Sequence, residues 1–196
     1  MISRHMKFAI AGLVLLALFL AGYNRALKKH AERLQERMVD LRPIAPPVTA
    51  QPQPITVWVA HDEDGVLHHQ VVKAALPADP SQRARQVLRA LFTVYLDRRT
   101  PHPIGDGSDV TDVYLMNGDT FVIDLNSKFA DAHRSGIFVE ELTMLSIVKT
   151  IAANFPEIRR VKFLVDGKER DTLAGHADLK QFYDVNLVMQ SAKGLQ

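Results

Sequence analysis

The apolar positions change period several times along the chain, and each change marks an element. From Phe8 to Asn24 the run FAIAGLVLLALFLAGYN is uncharged and apolar on every face. Leu27, Ala31, Leu34, Met38 and Leu41 then recur at spacings of four and three, an a/d seam over two heptads. The segment RPIAPPVTAQPQP, Arg42 to Pro54, holds five prolines, which exclude a helix and predict an extended spacer. Ile55, Val57 and Val59 next alternate with Thr56, Trp58 and Ala60, the period of a strand. His61-Asp62-Glu63-Asp64-Gly65 turns the chain, and Val66 to Leu76 returns as a second strand.

Asp79 is a predicted N-cap with Pro80 at the first helical position. Ala84, Val87, Leu88, Leu91, Phe92 and Tyr95 give the following helix its apolar side, and Arg83, Arg85, Arg89, Arg98 and Arg99 line its other faces. Two strands follow, Val110 to Met116 and Thr120 to Leu125. They are joined through Asn117-Gly118, a pair suited to a type I′ hairpin turn. Phe138, Leu142, Leu145, Val148 and Ala152 predict one buried side of a second helix that Pro156 stops. Val161, Phe163 and Val165 predict a strand ending at a turn on Asp166-Gly167. A last alternation of Tyr183, Val185, Leu187 and Met189 predicts a final strand. Two amphipathic helices can cover one face of such a sheet, so the expected fold is α/β, a two-layer sandwich with a mixed sheet and two helices on one face.

The expected organisation is an anchor over residues 1–24, a juxtamembrane amphipathic helix over 25–41, a Pro-rich linker over 42–54, a folded domain over 55–190 and a disordered tail over 191–196. The apolar run spans about 25 Å at about 1.5 Å per residue, so Lys7 and Arg25 would snorkel to the interfaces of a bilayer. No A-x-A cleavage site follows it. Tyr23 stands where a lipidated cysteine would stand after Leu20-Ala21-Gly22, so an uncleaved transmembrane helix is expected. The seam over residues 27–41 suits a homo-oligomer. Residues 1–54 carry a net charge of +5 and the remainder −3. A mildly acidic domain argues against a nucleic-acid partner, and the absence of cysteine excludes disulfides and thiolate metal sites. More Lys/Arg follow the apolar run than precede it, which by the positive-inside rule alone would keep the domain in the cytoplasm.

No catalytic, cofactor or metal motif stands out. His61, His68, His69, His102, His133 and His176 show no H-E-x-x-H spacing, and adjacent His68 and His69 project to opposite faces of a strand. There is no G-x-S-x-G, Walker loop or G-x-G-x-x-G. Asp62-Glu63-Asp64-Gly65 resembles half a calcium loop, but its glycine comes too early and no bidentate glutamate follows, so a solvated turn is expected. Asp124 is expected at a strand end, accepting backbone N–H groups in the turn that follows.

Several of these segments together resemble a GerMN domain, the sporulation and spore-germination module. They are Val122-Ile123-Asp124-Leu125 to Phe129, Glu141-Leu142, Ser146 to Ile151, Phe155-Pro156, Val161 to Lys168 and Thr172-Leu173-Ala174-Gly175-His176-Ala177-Asp178-Leu179. Lys149 departs from the small polar residue usual there, and the module occurs once, whereas the protein that names the family carries it twice. The resemblance implies Asp124, Thr150, Asp166, Gly167, Thr172, Gly175 and His176 as family positions of interaction role. It also implies a membrane-anchored, extracytoplasmic, non-catalytic module with envelope proteins or peptidoglycan as partners, no cofactor and no metal. The rival readings are a cell-wall glycan hydrolase using Asp124 with Asp166, and a small-ligand binding module. His176 is expected to brace a turn.

Overall fold

A computed structural model describes residues 51–191 of the chain. The expected anchor, the heptad helix, residues 42–50 of the linker and residues 192–196 lie outside the described residues. Among the described residues, no helix is long and apolar enough to cross a membrane.

The described region opens with a long hairpin, β1 (Pro52–His61) paired antiparallel with β2 (Val66–Ala75) from Pro52↔Ala75 to His61↔Val66. The strand therefore begins inside the expected linker, despite Pro52 and Pro54. In β1 the N–H groups of Thr56, Trp58 and Ala60 bond away from β2. The prolines occupy the same parity, so their missing N–H groups cost no ladder bond. Helix α1 (Pro80–Tyr95) follows, with Asp79 accepting the Gln82 N–H at 2.8 Å, and all six residues expected on its apolar side are buried. Arg98 and Arg99 lie beyond the Leu96 cap and not on the helix. Arg89 makes a paired contact with the Asp109 carboxylate.

Strands β3 (Val110–Met116) and β4 (Thr120–Leu125) form the second hairpin, with Asn117 at φ 54° and Gly118 at φ 80°, as a type I′ turn requires. Helices α2 (Ser127–Asp131) and α3 (Ile137–Asn154) lead to β5 (Arg160–Val165), which lies parallel to β4. A two-residue strand, β6 (Tyr183–Asp184), runs antiparallel to β5, and α4 (Val185–Ser191) ends the described chain. One buried cluster runs from Val57 and Val59 through Leu91, Phe92 and Phe129 to Phe121, Ile123 and Phe163.

The α/β class holds, but three further expectations are corrected. The strands form two sheets, a two-stranded β1-β2 and a four-stranded β3-β4-β5-β6, where a single mixed sheet was expected. The cause lies on α3. Asn154 bonds both the N–H and the C=O of Thr56, at 3.3 and 2.7 Å. Thr150 accepts the Trp58 N–H at 2.9 Å, and Ser146 donates to the Trp58 carbonyl at 2.6 Å. The Tyr95 hydroxyl accepts the Ala60 N–H at 2.9 Å. The edge where another strand would pair is thus closed by side chains spaced i, i+4, i+8 along a helix. Second, the expected final strand breaks after Asp184, whose carboxylate accepts the N–H groups of Asn186 and Leu187 and starts a helix. Third, Phe138 does not join the buried side of α3. It sits in the first turn and is 79% exposed.

Candidate functional site

The loop from Thr172 to Leu179 carries one of the motifs of the sequence resemblance, and the structure shows what holds it. Leu173 and Leu179 anchor the loop in the core, Thr172 bridges to Asp178, and the Leu173 N–H donates to the Ala177 carbonyl at 3.0 Å. Glu140, wholly buried in the first turn of α3, sits beneath it. Its Oε2 accepts the N–H groups of Ala174, His176 and Ala177 at 2.9–3.0 Å. Its Oε1 accepts the Gly136 N–H at 3.0 Å and lies 2.8 Å from His176 Nδ1. Burial alone would raise this carboxyl's pKa, but the hydrogen bonds from Gly136, His176, Ala177 and Ala174 outweigh it and bring it down to about 2. An ionised carboxylate only accepts, so His176 Nδ1 carries the hydrogen.

The loop walls one side of a cleft of about 640 Å³, lined among others by Ile137, Met144, Leu145, His176, Tyr183 and Leu187. Ile137 and Leu187 are each 63% exposed at its rim, beside the more exposed Phe138. The lining combines apolar Ile137, Met144, Leu145, Leu187 and Val188 with polar Glu141, His176, Asp178, Gln181 and Tyr183.

The other positions expected from the resemblance lie in two further groups. Asp124, nearly buried, accepts the Gly167 N–H at 2.8 Å. Asp166 accepts the Ser127 N–H at 3.1 Å and donates its own N–H to the Leu125 carbonyl. The two carboxylates therefore cross-tie the ends of parallel β4 and β5. Asp124 holds the turn after the neighbouring strand and not the turn that follows its own, because the parallel register sets Leu125 beside Val165 and brings the β5 turn alongside. Asp166 and Gly167 both take positive φ, 49° and 71°. Thr150 belongs to the closure of β1.

A buried polar chain went unseen in the sequence. Asp62 Oδ1 lies 2.5 Å from His102 Nδ1, His102 Nε2 lies 2.6 Å from Thr143 Oγ1, and His133 Nε2 lies 2.8 Å from the same hydroxyl. Arg134 also pairs with Asp62. Carboxylate, imidazole and hydroxyl in that order resemble a nucleophilic triad, but Thr143 is fully buried and donates back to the Val139 carbonyl, so no substrate reaches it. The chain fastens the first hairpin turn to α3. Burial lowers the pKa of both histidines. Glu140 was equally silent in the sequence: its partners lie 34–37 residues away, and its spacing from Gly136 was the sole local signal.

Lys149 is 1% exposed. Its Nζ makes no hydrogen bond among the described residues and lies 3.6 Å from the centre of the Trp58 ring. Burial lowers its pKa.

This arrangement of two small sheets and helices belongs to a known class. Residues 54–171 match the family Germane, described as sporulation and spore germination, and the chain belongs to that family. Among solved structures, the tandem GerMN domains of the sporulation protein GerM from Bacillus subtilis share 19% identity at a TM-score of 0.50, covering 67% of this chain and 45% of that one. The first GerMN domain of the same protein gives 17% identity and a TM-score of 0.47, covering 66% and 94%. A putative lipoprotein from Clostridium perfringens gives 14% and 0.42, covering 68% and 87%. The chain spans less than half the length of the tandem structure, and the likeness establishes the fold alone. No curated protein matches the sequence. No catalytic family is indicated.

Proposed function

We propose that the chain is a membrane-anchored, extracytoplasmic, non-catalytic GerMN module that docks a protein partner in the cell envelope. The observation that carries this reading is the way the loop from Thr172 to Leu179 is held. Glu140 spends its hydrogen-bonding capacity on backbone N–H groups and one imidazole, which fixes the loop as the wall of a partly apolar cleft with exposed Ile137 and Leu187 at its rim. Large apolar side chains clustered on a surface favour association with another protein. The uncharged run from Phe8 to Asn24 supports the anchor, and the seam over residues 27–41 supports self-association beside the membrane.

A photo-crosslinking residue placed at Ile137 or Leu187 in cells should give one discrete adduct that the same residue at Leu115, on β3, does not give. Leu187→Asp should abolish that adduct and complementation while leaving the melting temperature within about 1 °C, since an exposed side chain changes stability little. Adducts equal at all three positions, or full complementation by Leu187→Asp, would refute the cleft as the docking surface. Retention on isolated wall sacculi instead would support a glycan partner, and protease accessibility in spheroplasts tests the side of the membrane.

A further inference from the structure

The turn of the first hairpin gathers residues that the sequence kept apart. His61 ends β1 opposite Val66, and His68 of β2 faces Val59, so the two histidines are diagonal neighbours on one face of the hairpin. Their rings meet edge to face with centroids 4.5 Å apart. Asp64 joins them from the turn, its Oδ2 lying 3.6 Å from His68 Nε2. One ligand atom from each of the three lies within 4.8 Å of the others. Neither imidazole makes a hydrogen bond among the described residues, and the one bond to the Asp64 side chain is a long 3.4 Å contact from the Val66 N–H to Oδ1. Asp62, by contrast, is fully engaged by His102 and Arg134.

We propose that His61, Asp64 and His68 bind one divalent transition-metal ion of the zinc class. A tetrahedral ion with ligands at about 2.0–2.2 Å sets them roughly 3.4 Å apart, close to the Asp64–His68 separation already present. Small rotations of exposed Asp64 and His68 and of half-buried His61 complete the set. Two imidazoles and a carboxylate suit a borderline ion and not calcium or magnesium, which take oxygen ligands. The turn beneath is fixed by the Gly65 N–H donating to the His61 carbonyl at 2.9 Å, with Gly65 at φ 69°. Three protein ligands leave a coordination position for water or for a side chain of a docked protein. This site is independent of the cleft.

The test titrates zinc alone into the tag-free full chain by calorimetry. One equivalent should bind, and His61→Ala, Asp64→Ala and His68→Ala should each weaken binding more than about tenfold. His69→Ala is the control, because His69 is the next residue yet packs against Trp58 on the other face. It should bind as the parent does. Comparison between variants cancels any contribution from His5 and His30, which all of them share. Calcium and magnesium in excess should not displace zinc. The proposal is overturned if the parent binds no zinc, if His61→Ala and His68→Ala bind as tightly as the parent, or if His69→Ala loses as much as they do.

Discussion

Glu140 and His176 lie 36 positions apart and meet at 2.8 Å, a wholly buried carboxylate against a half-exposed imidazole. The same carboxylate accepts four backbone N–H groups, so it is the keystone of the Thr172–Leu179 loop, and His176 is one of several groups that lean on it. Glu140→Ala leaves those donors without a partner in the protein and should cost at least about 3 kcal/mol in urea unfolding, since bonds to a charged acceptor are worth roughly 1.5–3 kcal/mol each. A loss below about 1 kcal/mol would mean that water substitutes for the carboxylate.

The acid limb of the stability curve follows from the same residue. Its carboxyl titrates near pH 2 when folded and near 4.5 otherwise, so the unfolded chain takes up the extra proton first. The stabilisation is complete above about pH 4.5 and disappears as pH falls towards 2, on the order of 3 kcal/mol. The difference in unfolding free energy between the parent and Glu140→Gln should therefore shrink steadily from pH 5 to pH 3. A pH-independent difference would contradict an ionised, buried Glu140.

Gly167 and His176 should separate strain from chemistry. A side chain at Gly167 would have room, its Cβ lying 4.0 Å from Asp124 Oδ2, but φ is 71°. Gly167→Val should lose about 1–3 kcal/mol through the backbone alone. His176→Ala should lose less, because Glu140 keeps its other donors. Complementation by the two variants should follow their melting temperatures. A His176→Ala chain of unchanged stability that fails to complement would give His176 a functional role of its own.

Thr150 offers a local readout. Thr150→Val keeps the shape but removes the acceptor for the Trp58 N–H. The amide of Trp58 should then exchange at least about tenfold faster, with a global loss of about 1–3 kcal/mol, and Thr150→Ser should restore both. Unchanged exchange at Trp58 would show that the β1 edge is closed by something other than this hydroxyl.

Lys149 is expected to be a cost that the fold tolerates. An ammonium buried without a hydrogen bond is destabilised by several kcal/mol, and the Trp58 face returns about 2 kcal/mol of that. Lys149→Met should stabilise the chain by about 1 kcal/mol. Because burial lowers the lysine pKa, the folded form binds the proton less well than the unfolded form. Parental stability should accordingly rise with pH towards 10.5, and the variant should lack that rise. A destabilised Lys149→Met would mean that the cation–π contact outweighs desolvation.

Local chemistry was legible in the sequence wherever a feature depends on near neighbours. Asp79-Pro80, Asn117-Gly118 and Asp166-Gly167 each mark a boundary by its own backbone preference, and the six apolar residues of α1 are buried as their spacing requires. Pairing between distant elements was not legible. Ser146, Thr150 and Asn154 carry no local sign of their partners, yet they bond a strand about 90 residues earlier. Tyr183 to Met189 alternate as a strand would, and Asp184 overrides the pattern because a cap satisfies two backbone donors at once. Of the family positions, the sequence marked the loop but not the carboxylate beneath it, since one glutamate carries no sign of donors more than thirty residues away.

The closure of β1 by side chains also limits how copies of this domain can pair at the first hairpin. A two-stranded ribbon that is open on both edges can add neighbours on either side and grow without limit. Here one edge is already occupied, so any strand pairing at this hairpin must use β2. If two copies met there, each would use its single open edge, and the assembly would close at a pair.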